Sequence, residues 1–109
     1  MPKALLIDDD PVHAERLIHR LTAQQIHVRR VNDSAEAEDE LRHPMLPYDL
    51  VIVNVSNPDK PWITILAKLQ GVCRRSGWGP LILCVSNRPR EPRFELELER
   101  QGARYALEG

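Results

Sequence analysis

The chain has 109 residues, of which 42% are hydrophobic and 28% are charged, and its formal net charge at pH 7 is −1. This length suits one small domain with a single core, which we place over residues 1–109. The near-neutral charge gives no electrostatic basis for direct nucleic-acid binding, and the apolar runs are far shorter than the ~20 residues that span a membrane. No charged and then apolar leader precedes Lys3, so we expect a cytoplasmic protein.

The first half of the chain alternates between strand and helix signals. Asp10 followed by Pro11 is a typical helix start, because an Asp side chain caps the first turn and proline has no N–H to leave unpaired. Apolar residues at helical spacing continue that helix as far as Leu21. In chain order, the predicted elements are a strand over 3–8, a helix from Pro11, a strand over 26–31, a helix over 34–42 and a strand over 49–54.

The second half repeats the alternation. Phe94, Leu96 and Leu98 alternate with polar residues and permit a strand. The glutamate-rich sequence around them favours a helix instead, with Gly102 as its C-cap. The predicted elements are a helix from Pro61 to Arg75, a strand over 81–86, this fourth helix and a strand over 103–107.

Strands and helices in this order favour an α/β fold, a doubly wound parallel sheet of five strands in the flavodoxin-like order 2-1-3-4-5. Ligands of such folds bind at the carboxyl ends of the strands, where Asp8, Asp9 and Asn54 would surround one small pocket. A carboxylate at residue 54 would be a nucleophile for a phosphoryl group, whereas the amide of Asn54 is not. No glycine-rich nucleotide-binding motif follows any predicted strand, which argues against a dinucleotide or P-loop site.

The chain resembles the receiver domain of bacterial response regulators over essentially its whole length. Asp8 and Asp9 match the acidic pair that holds Mg²⁺ in that family, and Asn54 stands where the family has its phosphoacceptor aspartate. Ser86 matches the Ser or Thr that contacts the phosphoryl group. Two further matches are Pro58, four residues after the acceptor position, and Gly102-Ala103 before the last strand. The resemblance implies a signalling domain with protein partners rather than an enzyme.

Three departures from that family concern the chemistry of its site. Asn54 replaces the nucleophile, and Lys60-Pro-Trp62 stands where a glycine normally follows the loop after the third strand. The family's lysine after the fifth strand aligns with Gly109 or falls beyond it. The resemblance therefore implies a pseudo-receiver, a phosphorylation-independent module for signalling or protein interaction. It would require no cofactor, and Asp8 and Asp9 would form at most a weak, vestigial Mg²⁺ site.

Two other functions stay open at this point. The first is a true phosphoacceptor receiver that carries an Asp-to-Asn change at residue 54. The missing glycine argues against it, because an inactivating substitution would leave the rest of the motif intact. The second is a small-ligand-binding module that uses the pocket at the strand ends.

A fifth helix, which normally closes a receiver, is missing from the predicted elements. Its absence would leave part of one apolar sheet face uncovered, at a cost of several kcal/mol on the scale of ~25 cal/mol per Å². We expect self-association through the side formed by the fourth helix and the fifth strand to compensate for this loss.

The sequence also predicts the environment of several charged and reactive side chains. Asp8 and Asp9 would repel each other unless one of them takes up a proton, a cation or an arginine such as Arg88. Three of the four histidines are expected to be solvated surface residues, because His13 and His19 lie on different faces of the first helix and His27 lies on an edge strand. The two cysteines, Cys73 and Cys84, are expected to be free thiols, because their spacing matches no metal or redox motif.

Overall fold

The structure is a computed structural model that describes residues 2–42, 47–75, 77, 79–87, 89 and 91–107. Five strands and four helices alternate along those residues. They are β1 (Lys3–Ile7), α1 (Pro11–Ala23), β2 (His27–Val31), α2 (Ser34–Arg42), β3 (Leu50–Asn54), α3 (Trp62–Arg75), β4 (Leu81–Ser86), α4 (Pro92–Arg100) and β5 (Ala103–Leu107).

The strands form one sheet in the order β2-β1-β3-β4-β5, and every neighbouring pair is parallel. The predicted α/β fold with the flavodoxin-like order 2-1-3-4-5 is therefore confirmed. The register brings the carboxyl ends of the central strands to one edge, because Ile7 pairs with Val53 and Asn54 pairs with Val85. Side chains that follow β1, β3 and β4 consequently lie close together, although they are far apart in the sequence.

The sheet carries a different core on each face. The larger core includes Leu5, Val51 and Val53 from the strands and packs against α2, α3 and α4. The smaller core, around Leu6 and Ile52, packs against α1. Strand residues alternate between these cores because successive side chains of a strand point to opposite faces.

Helix α1 alone covers the smaller core among the described residues. The apolar stripe predicted for it is the stripe that packs on the sheet: Ala14, Leu17, Ile18 and Leu21. Leu81 at the start of β4 remains 51% exposed, and Leu83 is only partly buried. An incompletely covered face near β4 is thus a feature of the described structure.

The ambiguous segment after Pro92 is the helix α4. Leu98 is fully buried and Phe94 packs against the same core, whereas Leu96 is 48% exposed. Residues four apart share a helix face, so a helix buries Phe94 and Leu98 together and turns Leu96 outward. Gly102 follows the helix with φ of 81°, a conformation that a residue without a Cβ adopts at little cost.

Cys73 and Cys84 are buried and free, as expected from their spacing. Burial raises the pKa of the Cys84 thiol to about 12 and also raises the pKa of Cys73. Both thiols are therefore protonated and weakly nucleophilic at neutral pH. Within the described part of the chain, no helix is both long and apolar enough to cross a membrane.

Candidate functional site

Three of the four residues predicted to form a site, Asp8, Asp9 and Asn54, line one cleft at the carboxyl edge of the sheet. Asn54 is the last residue of β3, and its side-chain amide Nδ2 donates a hydrogen bond of 3.0 Å to Oδ1 of Asp8. Ser86 ends β4 directly after Val85, the residue paired with Asn54, and is fully buried. The predicted convergence of β1, β3 and β4 at one site is therefore present in the structure.

Asp8 is a buried carboxylate with hydrogen-bond partners at both of its oxygens. It is only 2% exposed. Its Oδ1 accepts from the backbone N–H of Asp10 at 2.9 Å as well as from Asn54, and its Oδ2 is paired with Nδ1 of His13. A buried charge is tolerated when it is paired and hydrogen-bonded in this way. The side chain of Asp8 is thus part of the packed structure and not an open ligand.

His13 departs from the expectation of a solvated surface histidine. Its side chain is 13% exposed and contacts Asp8, whereas His19 and His27 are exposed as expected. Pro11 begins α1, so His13 is its third residue, and side chains in a helix tilt toward the N-terminus. That tilt carries the imidazole back toward the end of β1. The early position of His13 in a helix that follows a strand end was the sequence signal for this contact.

Both polar atoms of the Asn54 side-chain amide form hydrogen bonds. Its Oδ1 accepts a hydrogen bond of 3.0 Å from the backbone N–H of Ser56, while its Nδ2 donates to Asp8. These two bonds fix the amide with the nitrogen toward Asp8 and the oxygen toward the following loop. Residue 54 therefore offers the site a hydrogen-bond donor and no nucleophilic oxygen.

Asp9 is exposed to solvent and lines the same small cleft as Asp8. The two carboxylates were expected to need a proton, a cation or an arginine to relieve their repulsion. Asp8 is buried and has His13 as its partner, whereas Asp9 is exposed to solvent, and the expected repulsion between the two carboxylates stays a prediction. Arg88 lies outside the described residues, and Arg30 donates from Nε to the backbone oxygen of Asp8 at 3.1 Å.

The cleft at the strand ends has a volume of about 40 Å³. Its walls include Lys60 and Trp62 from the segment that replaces the family's glycine, a contribution that the sequence did not predict. Trp62 is held there because its indole N–H donates to the backbone oxygen of Asn57 at 2.6 Å. A volume of this size holds about three water molecules.

The Mg²⁺ implied by the resemblance does not fit the site as it is arranged. Mg²⁺ requires oxygen ligands in near-octahedral geometry. Two N–H donors use both lone pairs of Asp8 Oδ1, and His13 faces Oδ2. Asn54 presents its N–H and not its oxygen. The described residues also contain no group of three or more His, Cys, Asp or Glu side chains placed to hold a metal ion.

Comparison with solved structures identifies the fold. The chemotaxis protein CheY4 of Vibrio cholerae has 21% sequence identity and a TM-score of 0.80, over 99% of this chain and 87% of that one. A two-component response regulator from Clostridium difficile has 20% identity and a TM-score of 0.80, over 99% and 84%. The chain has the receiver fold. No model of a known protein family matches its sequence, and no curated protein does.

A third solved structure is a receiver with ligands. The receiver domain of the histidine kinase CKI1 from Arabidopsis thaliana, in complex with Mg²⁺ and BeF₃⁻, has 15% identity and a TM-score of 0.80, over 96% of this chain and 79% of that one. The structural neighbours are thus response regulator receiver domains at low sequence identity. Similarity at this level establishes the fold, and the role of each site residue must be argued from its own chemistry.

Proposed function

We propose that this receiver-fold domain is a signalling and protein-interaction module that works without phosphorylation of residue 54. It is a pseudo-receiver, and its activity is binding and not catalysis. The orientation of the Asn54 amide carries this proposal. Because Nδ2 donates to Asp8 and Oδ1 accepts from Ser56, the acceptor position is filled by a neutral group that is already hydrogen-bonded.

The neighbouring site residues have structural roles in this proposal. Phosphoryl transfer requires an in-line nucleophile and positive charge around the transferred group. Asn54 supplies no nucleophile, and the two oxygens of Asp8 are engaged by donors of the protein itself. Ser86 keeps the place of a phosphoryl contact but acts here as a buried residue at the end of β4. The acidic pair would therefore be vestigial as a metal site.

Incubation with acetyl phosphate and Mg²⁺, followed by intact-mass measurement, tests the absence of phosphorylation. We expect no mass gain for the native protein. A stable gain of one phosphoryl group that maps to the loop after β3, at Ser56 or Asp59, would contradict the proposal. The Asn54→Asp variant tests the alternative of a true receiver, because efficient phosphorylation of that variant alone would favour an otherwise intact acceptor site.

The surface formed by α4 and β5 is our proposed contact region for self-association. Leu96 is 48% exposed on α4, and exposed residues of both charges surround it, including Arg93 and Glu99. A two-fold dimer apposes the same patch on both copies, so mixed charges around an apolar centre can complement themselves. The strand β5 adds an edge of the sheet beside this helix.

Sedimentation velocity over a range of concentrations tests this contact. We expect a concentration-dependent dimer that Leu96→Lys abolishes, because the substitution brings two like charges to the centre of a two-fold interface. Val12→Lys is the matched control, since Val12 is 65% exposed on the distant helix α1. A protein that stays monomeric at all concentrations, or equal effects of both substitutions, would contradict the contact.

The alternative of a small-ligand module receives little support from the cleft. Its volume of about 40 Å³ is far below the ~300–1,000 Å³ of pockets that enclose drug-sized ligands. Its lining also lacks the glycine-rich backbone that cradles phosphate groups in nucleotide sites. We therefore prefer protein partners to a nucleotide or metabolite.

A further inference from the structure

We propose that His13 takes the place of a divalent cation as the partner of Asp8, and so closes the acidic end of β1 to Mg²⁺. This inference rests on the proposed function in one respect, that residue 54 acts as an amide. It concerns a different atom of the site, Oδ2 of Asp8. N–H donors surround the Asp8 carboxylate, whereas a bound Mg²⁺ would require oxygen ligands there.

Among the described residues that line the cleft, Asp8 is the one buried carboxylate, and the other two, Asp9 and Asp33, are exposed. The Asp8 side chain is fully buried, whereas Asp9 is exposed. Asp10 is committed to the start of α1, because its Oδ1 accepts from the backbone N–H groups of Val12 and His13 at 3.0 and 3.2 Å. A divalent ion here would therefore meet one buried carboxylate in place of several. One imidazole is a sufficient partner for one carboxylate.

The hydrogen-bond pattern assigns the proton of the imidazole. An ionised carboxylate only accepts, so the nitrogen that faces Asp8 Oδ2 must carry a hydrogen. Nδ1 of His13 is that nitrogen. Asn54 Nδ2 lies 3.3 Å from the same Nδ1, and because both groups are donors we interpret this separation as two donors that converge on one carboxylate. Mg²⁺ requires a shell of oxygen ligands, so a carboxylate on which N–H groups converge does not suit it.

The same contacts connect three elements of the fold. Asp8 follows β1, His13 belongs to the first turn of α1 and Asn54 ends β3. A charge-assisted hydrogen bond is about twice as strong as a neutral one, so these bonds hold the three elements together without an ion. Two further cationic groups lie near them. Arg30 binds the backbone oxygen of Asp8, and Lys60 lines the adjoining cleft.

A metal titration followed by NMR tests the replacement. Amide spectra of the full chain are recorded with increasing Mg²⁺, and line broadening by Mn²⁺ reports proximity to the ion. For the native protein we expect no saturable effect at Asp8 or at the Asn54 side-chain amide. His13→Ala should expose Asp8 Oδ2 and raise the affinity for Mn²⁺ at that position by on the order of tenfold or more, the scale of one charge-assisted hydrogen bond.

His19→Ala is the matched control, because His19 is exposed on the same helix and should leave the titration unchanged. Saturable Mn²⁺ binding at Asp8 in the native protein, or equal affinities of native protein and folded His13→Ala, would overturn the inference. Neither result would bear on phosphorylation of residue 54, so the proposed function stands or falls separately.

A second measurement needs no substitution and stays informative if His13→Ala fails to fold. Long-range ¹⁵N–¹H spectra distinguish the two nitrogens of each imidazole. We expect a protonated Nδ1 for His13 near neutral pH. An unprotonated Nδ1 would remove the donor to Asp8 and overturn the inference.

Discussion

The substitution Asn54→Asp introduces the aspartate that receiver domains, which this chain resembles, carry at the corresponding position, and it should destabilise this protein. In the native structure the Asn54 amide donates to Asp8 Oδ1 at 3.0 Å. A carboxylate in its place brings a second negative charge against a buried one and removes the donor. The charges nearby offset the new carboxylate only in part, because His13 is already paired with Asp8, Arg30 binds the backbone oxygen of Asp8, and Lys60 lines the cleft.

Three energies set the size of the effect on stability. Two unit charges 3.0 Å apart repel by about 5 kcal/mol at an effective dielectric constant of ~20. The introduced group can escape by binding a proton, which costs about 4 kcal/mol at pH 7 for a group with an ordinary pKa of ~3.9. Loss of a hydrogen bond to a charged group alone costs about 1.5–3 kcal/mol. We therefore expect the free energy of unfolding at pH 7 to fall by about 2–4 kcal/mol.

The pH dependence of the stability loss in Asn54→Asp distinguishes a charge effect from a packing effect. Like-charge repulsion raises the pKa of the introduced carboxyl in the folded state, so its destabilising effect grows as the pH rises above the unfolded value. We expect the deficit relative to the native protein to shrink between pH 7 and about pH 4.5, where the group binds a proton. Urea denaturation of native protein, Asn54→Ala and Asn54→Asp at both pH values measures this. Equal stability of Asn54→Asp and native protein at pH 7, or a deficit independent of pH, would refute the reasoning.

Three further predictions concern the fold. Gly102→Ala should lower the free energy of unfolding by about 2–3 kcal/mol, because φ of 81° strains an alanine and the added Cβ, 2.7 Å from Gln70 Nε2, would displace that group from its hydrogen bond to the backbone oxygen of Gln101. Gly77→Ala, with φ of 75° and no atom within 4 Å of the added Cβ, should lose only the backbone part of that energy in the same urea titration. Asp10→Ala should cost about 1 kcal/mol by removing the N-cap of α1, and an unchanged denaturation midpoint would count against the cap. Cys84, with its pKa raised to about 12 by burial, should react with a thiol reagent at pH 8 only after denaturant is added.

The fold was predictable because its signals are local and repeated. Apolar runs indicated the buried strands, and Asp10-Pro11 indicated the start of α1. The observed ends of the strands and helices differ from the predicted ends by about one residue, and the hydrogen bonding between strands continues past the end of β1. The N–H of Asp8, just beyond β1, still donates to the oxygen of Val31 at 3.1 Å. The segment around Leu96 was ambiguous because local alternation of polar and apolar residues does not say which side of the segment meets the core.

The sequence predicted that Asp8 and Asn54 meet at the strand ends, but it did not predict that His13 of α1 joins them. The end positions of parallel strands meet at one edge in any sheet of this order, so Asp8 and Asn54 had to lie close together. Just beyond β1, Asp8 is buried and Asp9 is exposed, as expected where successive residues continue the alternation of a strand. His13 was missed because its spacing was compared with the other histidines. The early position of His13 in α1 was the available signal, but the contact also depends on the angle at which α1 leaves β1, which the sequence pattern does not specify.

The response of the amide NMR spectrum to Mg²⁺ and BeF₃⁻, the ligands of the solved Arabidopsis receiver, tests the central claim most directly. If the domain works without phosphorylation, the amides of Asp8, Asn54 and Ser86 should keep their chemical shifts when both are added to the native protein. Saturable shifts at these three positions that extend to α4 and β5 would contradict the account, because they would show that the site still recognises a phosphoryl-like group and transmits its presence.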